Sequence, residues 1–310
     1  MLQELTPLSL EQAENLMERF IKFAGVADKS AMTYLIALKQ MWKYFRDNQI
    51  FNPTRGDLEN WRDRLISDRK SASTIQLYLT SAKLFFRWLA MENVYPNIAD
   101  HLKSRVKISH EHKKDFLSQD QSKQLLNFAK GKGTLKDLRD RAIIALMLTA
   151  GLRTVEICRA DIVDIREING ATFLYVQGKG RSEKAESVRL APQVYSLIQE
   201  YLKIRGEDND REPLFVSTSN RCKNARLDTQ TIRKLVKADL RAIGLDNDRI
   251  SAHSLRHTAA TQMLLNGAKI EDAQMILRHK NINTTMIYNH SIQRLQNEGE
   301  LLVANALFDN

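Results

Sequence analysis

The side chains best suited to chemistry gather in residues 253–290. H-S-L-R-H-T begins at His253, and L-R-H-K-N-I-N-T-T-M-I-Y-N-H begins at Leu277. His253 and Arg256 are three apart, so on a helix they share one face. His279 and Tyr288 follow at a spacing of nine, which a short helix or loop can fold back into the same pocket. A pocket rich in cations with one tyrosine hydroxyl suits an anionic substrate attacked by a phenolate. A free tyrosine has a pKa of about 10, and neighbouring Arg and His charges would favour its ionised form. The chemistry this predicts is nucleophilic catalysis at a phosphate.

Each piece has a plainer reading. His253 and His257 have the i,i+4 spacing of a zinc-binding helix, but the metalloprotease pattern needs Glu directly after the first His, and Ser254 stands there. A lone Tyr288 is more often a packing residue than a nucleophile, and a lone Arg256 can be half of a structural ion pair. His257 and His290 read equally well as packing residues and stay outside the set. What changes the balance is the match elsewhere in the chain. T-A-G-L-R-T-V-E-I at 149–157 puts Arg153 just after Gly151, with Glu156 one helical turn on. Q-G-K-G at 177–180 puts Lys179 between two glycines, behind the strand-like run 172–176. A glycine-flanked lysine is otherwise a simple exposed turn, and no P-loop pattern is present.

In order and spacing, Arg153, Lys179, His253, Arg256, His279 and Tyr288 resemble the tyrosine recombinase (phage integrase) family. The resemblance is strong over about residues 115–290 and rests on helical pattern and size in the N-terminal third. One departure is visible. The family writes L-G-H where this chain has Leu277-Arg278-His279, so the backbone at Arg278 must tolerate a side chain.

The resemblance implies a site-specific DNA recombinase working through a 3′-phosphotyrosyl intermediate and a Holliday junction, with no cofactor and no metal. Tyr288 would be the nucleophile. Arg153 and Arg256 would hold the non-bridging oxygens, and Lys179 would protonate the leaving 5′ oxygen. His253 would be the base, His279 would bond the phosphate, and Glu156 would orient the pocket. The implied partners are double-stranded DNA with inverted-repeat core sites and three further copies of the chain on two such sites, with a second recombinase or an accessory factor as further candidates. The size suits a compact Xer-like or Cre-like enzyme without an arm-binding domain. Integration or excision of a mobile element and resolution of chromosome or plasmid dimers both remain open. Two other classes share parts of this pattern: a type IB topoisomerase, and a catalytically silent DNA-binding regulator.

The elements that must position these residues can be read from apolar periodicity. Amphipathic helices are predicted over 9–24, 29–48, 56–68 and 72–92, the first with a Ser9–Gln12 capping box. Their aromatics read as core rather than as base-stacking platforms. Residues 103–115 carry five Lys or Arg and no sustained apolar period, as a connector does. A second domain restarts at Ser118 and Gln121, another capping box. The apolar run 141–150 predicts a buried helix ending at Gly151. Asn169-Gly170 predicts a hairpin, with strands at 172–176 and 187–190 and Lys179 at the tip of the loop between them. Further helices are expected over 192–205, 228–243, 254–266 and 270–278, and an amphipathic tail helix over 292–308. The resulting expectation is a mainly α protein with a small antiparallel sheet. Residues 1–102 form a helical core-binding domain, 103–115 a linker and 116–310 the catalytic domain, and the resemblance implies a C-shaped clamp on DNA.

Composition agrees. The chain has 310 residues and a net charge of +10, which favours a polyanionic partner. The excess is distributed: residues 1–110 carry 16 Lys and Arg against 12 Asp and Glu, and residues 111–310 carry 31 against 25. No apolar run is long enough for a bilayer, the start lacks the layout of a signal peptide, and the two cysteines are far apart. The expectation is a protein of the bacterial cytoplasm or nucleoid with reduced thiols and no membrane partner.

Overall fold

A computed structural model describes residues 10–106, 115–178, 181, 183–206 and 209–308. The chain divides into two compact units, Met1–Ser109 and His110–Asn310.

The first unit is a bundle of α1 (Leu10–Ala24), α2 (Asp28–Asp47), α3 (Arg55–Ser67) and α4 (Ala72–Met91). These fall within a residue or two of the predicted spans. Ser9, the expected cap of α1, lies outside the described residues. The starts of α3 and α4 are fixed by side-chain caps. The Thr54 N–H donates to Asp57 Oδ2 at 2.8 Å, and Ser71 Oγ accepts from the Thr74 N–H at 3.2 Å. Phe20, Phe45, Trp61, Phe85, Phe86 and Trp88 are all buried, and Phe20 meets Phe85 edge-on with centroids 5.5 Å apart. The aromatics therefore form the core, each contributing roughly 1.5–3 kcal/mol by burial. Leu102 closes this core. Of the predicted linker, residues 107–114 lie outside the described residues.

The second unit is built around α6 (Leu135–Thr149), in which every residue from Ala142 to Leu148 is buried. A helix apolar all round belongs in an interior, and α5 (Gln119–Phe128), α8 (Pro192–Arg205) and α10 (Ala252–Leu265) pack on it. Ser118 and Gln121 form the predicted capping box on α5. The short helix α7 (Thr154–Arg159) follows α6, then the sheet β1 (Ile165–Ile168), β2 (Ala171–Val176) and β3 (Glu186–Arg189). The sheet is antiparallel in the order β1-β2-β3, with Leu174 opposite both Ile165 and Val188. Asn169 and Gly170 turn it at φ +50° and +72°, the two left-handed residues of a type I′ hairpin. After α9 (Thr229–Ala242) come α10, α11 (Ile270–Leu277), α12 (Asn283–Gln296) and α13 (Gly299–Phe308).

Two expectations are corrected. First, α7 was not foreseen: at six residues it is too short to show a period. Second, 292–308 is not one helix. The helix that carries Tyr288 runs on to Gln296, and α13 starts afresh at Gly299. Asn297 breaks the run by turning extended at ψ 113°, and its Oδ1 accepts from the Gly299 N–H at 2.8 Å. Among the described residues no helix is long and apolar enough to cross a membrane.

Candidate active site

Five of the predicted residues line one cavity of about 510 Å³: Arg153, His253, Arg256, His279 and Tyr288. They arrive from four places in the chain, and local geometry fixes each one.

Arg153 stands where α6 gives way to α7. Gly151 makes that junction at φ +58°, and a Cβ there would lie 2.7 Å from Leu277 Cδ2. Both the backbone and the space call for glycine. Arg153 is the N-cap of α7, its N–H donating to Glu156 Oε2 at 2.8 Å and its Nη1 to Glu156 Oε1 at 2.7 Å. Glu156 is fully buried. Burial pushes its carboxyl up, but the guanidiniums of Arg278 and Arg153 and the Arg153 N–H outweigh burial and hold it below its usual range. The carboxylate is therefore ionised and grips Arg153 from behind.

Arg256 is buried on α10 and donates through Nη1 to the Gly151 carbonyl and through Nη2 to the Leu277 carbonyl. Burial, and next the guanidinium of Arg153, lower it to about 9, which leaves it cationic at neutral pH. Arg153 and Arg256 both line the cavity, and a planar guanidinium fork is a donor suited to a tetrahedral oxyanion.

The turn after α11 sets His279. Arg278 ends the helix in the left-handed region at φ +54° and ψ +48°. The Arg278 guanidinium turns inward to Glu156 Oε2 at 2.7 Å. His279 shares a 3.0 Å hydrogen bond from Nδ1 with Thr285 Oγ1, and its carbonyl accepts from Gln274 Nε2 at 3.1 Å. Burial, then the charges of Arg256 and Arg153, push its imidazole down to about 4. It is a neutral ring at working pH and adds no positive charge.

Tyr288, on α12, is 3% exposed and packs on Ala260 and Leu277. Its ring lies parallel to His279, with centroids 6.4 Å apart, and 5.4 Å from His257. Burial raises the phenol to about 12 against the opposing pull of Arg256 and Arg153. This reverses the expectation of a phenolate favoured by its surroundings: desolvation beats two nearby cations, and the hydroxyl needs a base.

Sequence reasoning left out His257, whose ring is 4.6 Å from His253 and 5.4 Å from Tyr288 and so stands between them. Its i,i+4 spacing from His253 was the available signal. Arg278 was noted only as a departure, yet it lines the cavity. Lys179 lies outside the described residues, as does the side chain of His290. The loop that carries Lys179 is held near its two ends. The Gly178 carbonyl accepts from Arg159 Nη1 at 3.3 Å, Arg181 pairs with Glu186 at 2.9 Å, and Lys184 pairs with Asp161 at 2.6 Å and with Asp164. Gly178 and Arg181 line the same cavity.

Known proteins share both units. Residues 115–294 match the model of the phage integrase family, and residues 14–94 match that of the phage integrase N-terminal SAM-like domain. The first match spans more than half of the chain and contains every residue placed in the cavity, so the chain belongs to the phage integrase family. Its relatives are Xer tyrosine recombinases, and its class of activity is that of a tyrosine site-specific recombinase. It is 30% identical to tyrosine recombinase XerC of Corynebacterium glutamicum over 236 residues, 75% of this chain and 72% of that one. It is 28% identical to tyrosine recombinase XerA of Pyrococcus horikoshii over 274 residues, 88% of each chain. Its fold is that of the XerH site-specific recombinase bound to palindromic difH substrate. The TM-score is 0.74 and the identity 23%, over 93% of this chain and 83% of that one. These relatives favour recombination over the topoisomerase and regulator readings.

Proposed function

We propose that Tyr288 attacks a scissile DNA phosphate held by Arg153 and Arg256, leaving a 3′-phosphotyrosyl end and a free 5′-hydroxyl. The new P–O bond to Tyr288 replaces the P–O bond to the leaving strand. Its energy is kept, and attack by a 5′-hydroxyl reverses the step without a nucleotide cofactor. The observation that carries this reading is the convergence of one buried tyrosine with two guanidinium forks in a single cavity of about 510 Å³. The phenol, held at about 12, gives up its proton as it attacks. His253 and His257 form the relay that takes it, with His257 against the ring. Neutral His279 donates a hydrogen bond to a phosphate oxygen, and Glu156 keeps Arg153 in register. The test is to trap the intermediate on a nicked suicide substrate and map the modified peptide. The expected attachment is Tyr288, formed equally well in the presence of a chelator, and attachment elsewhere removes it from this role.

Lys179 completes the reading as the acid that protonates the 5′ oxygen. Lys179→Ala should slow cleavage of ordinary DNA by about 10²–10⁴-fold. A 5′-bridging phosphorothiolate has a leaving group that needs no proton, so on that substrate most of the rate should return. If it does not, Lys179 positions the phosphate or the loop instead.

For substrate and assembly, the reading is duplex DNA with inverted core sites, recognised by residues 1–102 and 116–310 together in the cytoplasm. Four copies act on two sites, as in the lambda integrase tetramer bound to a Holliday junction. Support for contact between copies comes from α13, where Leu301, Leu302, Leu307 and Phe308 are all at least 60% exposed. A second copy of the chain is the proposed occupant of that face.

A further inference from the structure

Besides Arg153 and Arg256 the cavity is lined by Arg181 and Arg278, and Arg278 is the one whose place is unusual. Arg278 occupies a backbone position that glycine fills most easily, since a Cβ at positive φ crowds the neighbouring carbonyl. The left-handed backbone alone is no signal here: Arg69 adopts φ +54° just beyond α3 with its side chain exposed. The side chain of Arg278, by contrast, is only 3% exposed and lines the cavity. Its Nη2 donates to Glu156 Oε2 at 2.7 Å and its Nη1 to the Ile276 carbonyl at 2.5 Å. A long charged side chain has been taken out of water at a strained position, and its main partner is a carboxylate that already holds Arg153.

The division of that carboxylate matters. Oε1 takes Arg153 Nη1, while Oε2 takes the Arg153 N–H and Arg278 Nη2. Without Arg278, Oε2 would keep only the Arg153 N–H and have a lone pair open to a further donor, and a carboxylate so placed tends to capture a guanidinium in a two-pronged pair. Were Glu156 to take Arg153 that way, the fork would turn from the cavity into the protein. We propose that Arg278 is a positioning residue for cleavage: by occupying Glu156 Oε2 it limits Glu156 to one prong on Arg153 and leaves the other Arg153 donors for the scissile phosphate. Arg278 also sets the charge of the site. Arg153, Arg181, Arg256, Arg278 and Lys280 line the cavity against Glu186, with Glu156 bonded to two of them, and loss of Arg278 removes one of these cations. Because His279 is the next residue, the bond to Glu156 also ties the His279 turn to the Arg153 junction.

The inference rests on the reading of Arg153 and Tyr288 given above, and glycine makes it testable. Arg278→Gly relieves the backbone but leaves buried Glu156 with one guanidinium partner in place of two, so its melting temperature should fall. Rates are compared at a temperature where circular dichroism shows the full chain folded. Single-turnover adduct formation on the suicide substrate should fall roughly ten- to hundredfold, the scale of a misplaced phosphate ligand. Its acid limb should move to higher pH, because Glu156 loses a cation that keeps it ionised. Arg278→Lys returns a charged donor to Oε2 and should recover most of the rate and the wild-type limb. In a Glu156→Gln background, Arg278→Gly should cost much less than it does in wild type.

Arg278→Gly cleaving within twofold of wild type at every pH overturns the inference. So does an Arg278→Lys protein as slow as Arg278→Gly, or an equal loss in both Glu156 backgrounds. If Arg278→Gly does not fold, the Arg278→Lys rate and its acid limb decide the matter on the same terms. An adduct that survives Tyr288→Phe strikes the underlying reading instead, whatever the Arg278 variants do.

Discussion

Tyr288→Phe should form no covalent adduct on a suicide substrate, a loss of at least about 10⁴-fold, while binding a single core site as tightly as wild type. The phenyl ring keeps the contacts with Ala260 and Leu277 that bury Tyr288, so the melting temperature should hold and a folding defect cannot explain the loss. The hydroxyl alone is removed, and with it the only atom of that side chain able to bond phosphorus. The pH dependence has a definite sign. Burial sets the phenol at about 12, so at neutral pH it is protonated and attack requires a base. Wild-type cleavage should therefore be faster at pH 8 than at pH 6. An adduct undiminished in Tyr288→Phe places the nucleophile elsewhere, and a rate that falls between pH 6 and pH 8 contradicts a protonated resting tyrosine.

Removal of residues 298–310 should abolish recombination and pairing of sites while sparing the fold and single-site binding. The cut must come after Gln296, because Ile292 is 6% exposed and belongs to the core, whereas no described residue of α13 is buried. Burying Leu301, Leu302, Leu307 and Phe308 on a neighbouring copy would contribute roughly 1.5–3 kcal/mol per side chain, set against the entropy of association. Contacts of this kind passed from one copy to the next can close a ring. Gel-shift and recombination assays, with circular dichroism as the folding control, make the test. A truncated protein that recombines normally leaves α13 without this role, and one that unfolds places α13 in its own core.

Much of this was legible in the chain. The four N-terminal helices, the hairpin and the helix ending at Gly151 follow from apolar period, capping pairs and Asn169-Gly170, all local signals. The cavity was legible through residue types, because Arg153, Arg256, His279 and Tyr288 keep recognisable neighbours. What the sequence hid depends on long-range burial. The pKa of Tyr288 turns on the ring being nearly enclosed, which no spacing reveals, and the two cations beside it suggested the opposite sign. Arg278 could be seen to need an unusual backbone, but its bond to Glu156 joins residues 122 apart. His257 was set aside because a histidine one turn from another is ordinary until a third ring packs on it. The break at Asn297 was missed because Leu295 and Leu301 were read as one apolar face, across the polar run Gln296 to Glu300 in which Asn297 bonds to Gly299.

Arg256 carries a consequence for safety. Its guanidinium bridges two backbone carbonyls, one 105 residues away at Gly151 and the other 21 residues on at Leu277. It is a girder before it is a ligand: the α6–α7 junction and the end of α11 must both be in place before the fork exists. A molecule that has frayed at either place loses the fork with the same event, since local opening removes the carbonyls that hold it. A recombinase built this way carries an interlock. With Arg256 in the phosphate-holding role proposed above, a half-folded copy would lack that contact. Arg256→Lys would keep the charge but not the two-carbonyl bridge, so its failure would report a broken interlock as much as a missing phosphate contact.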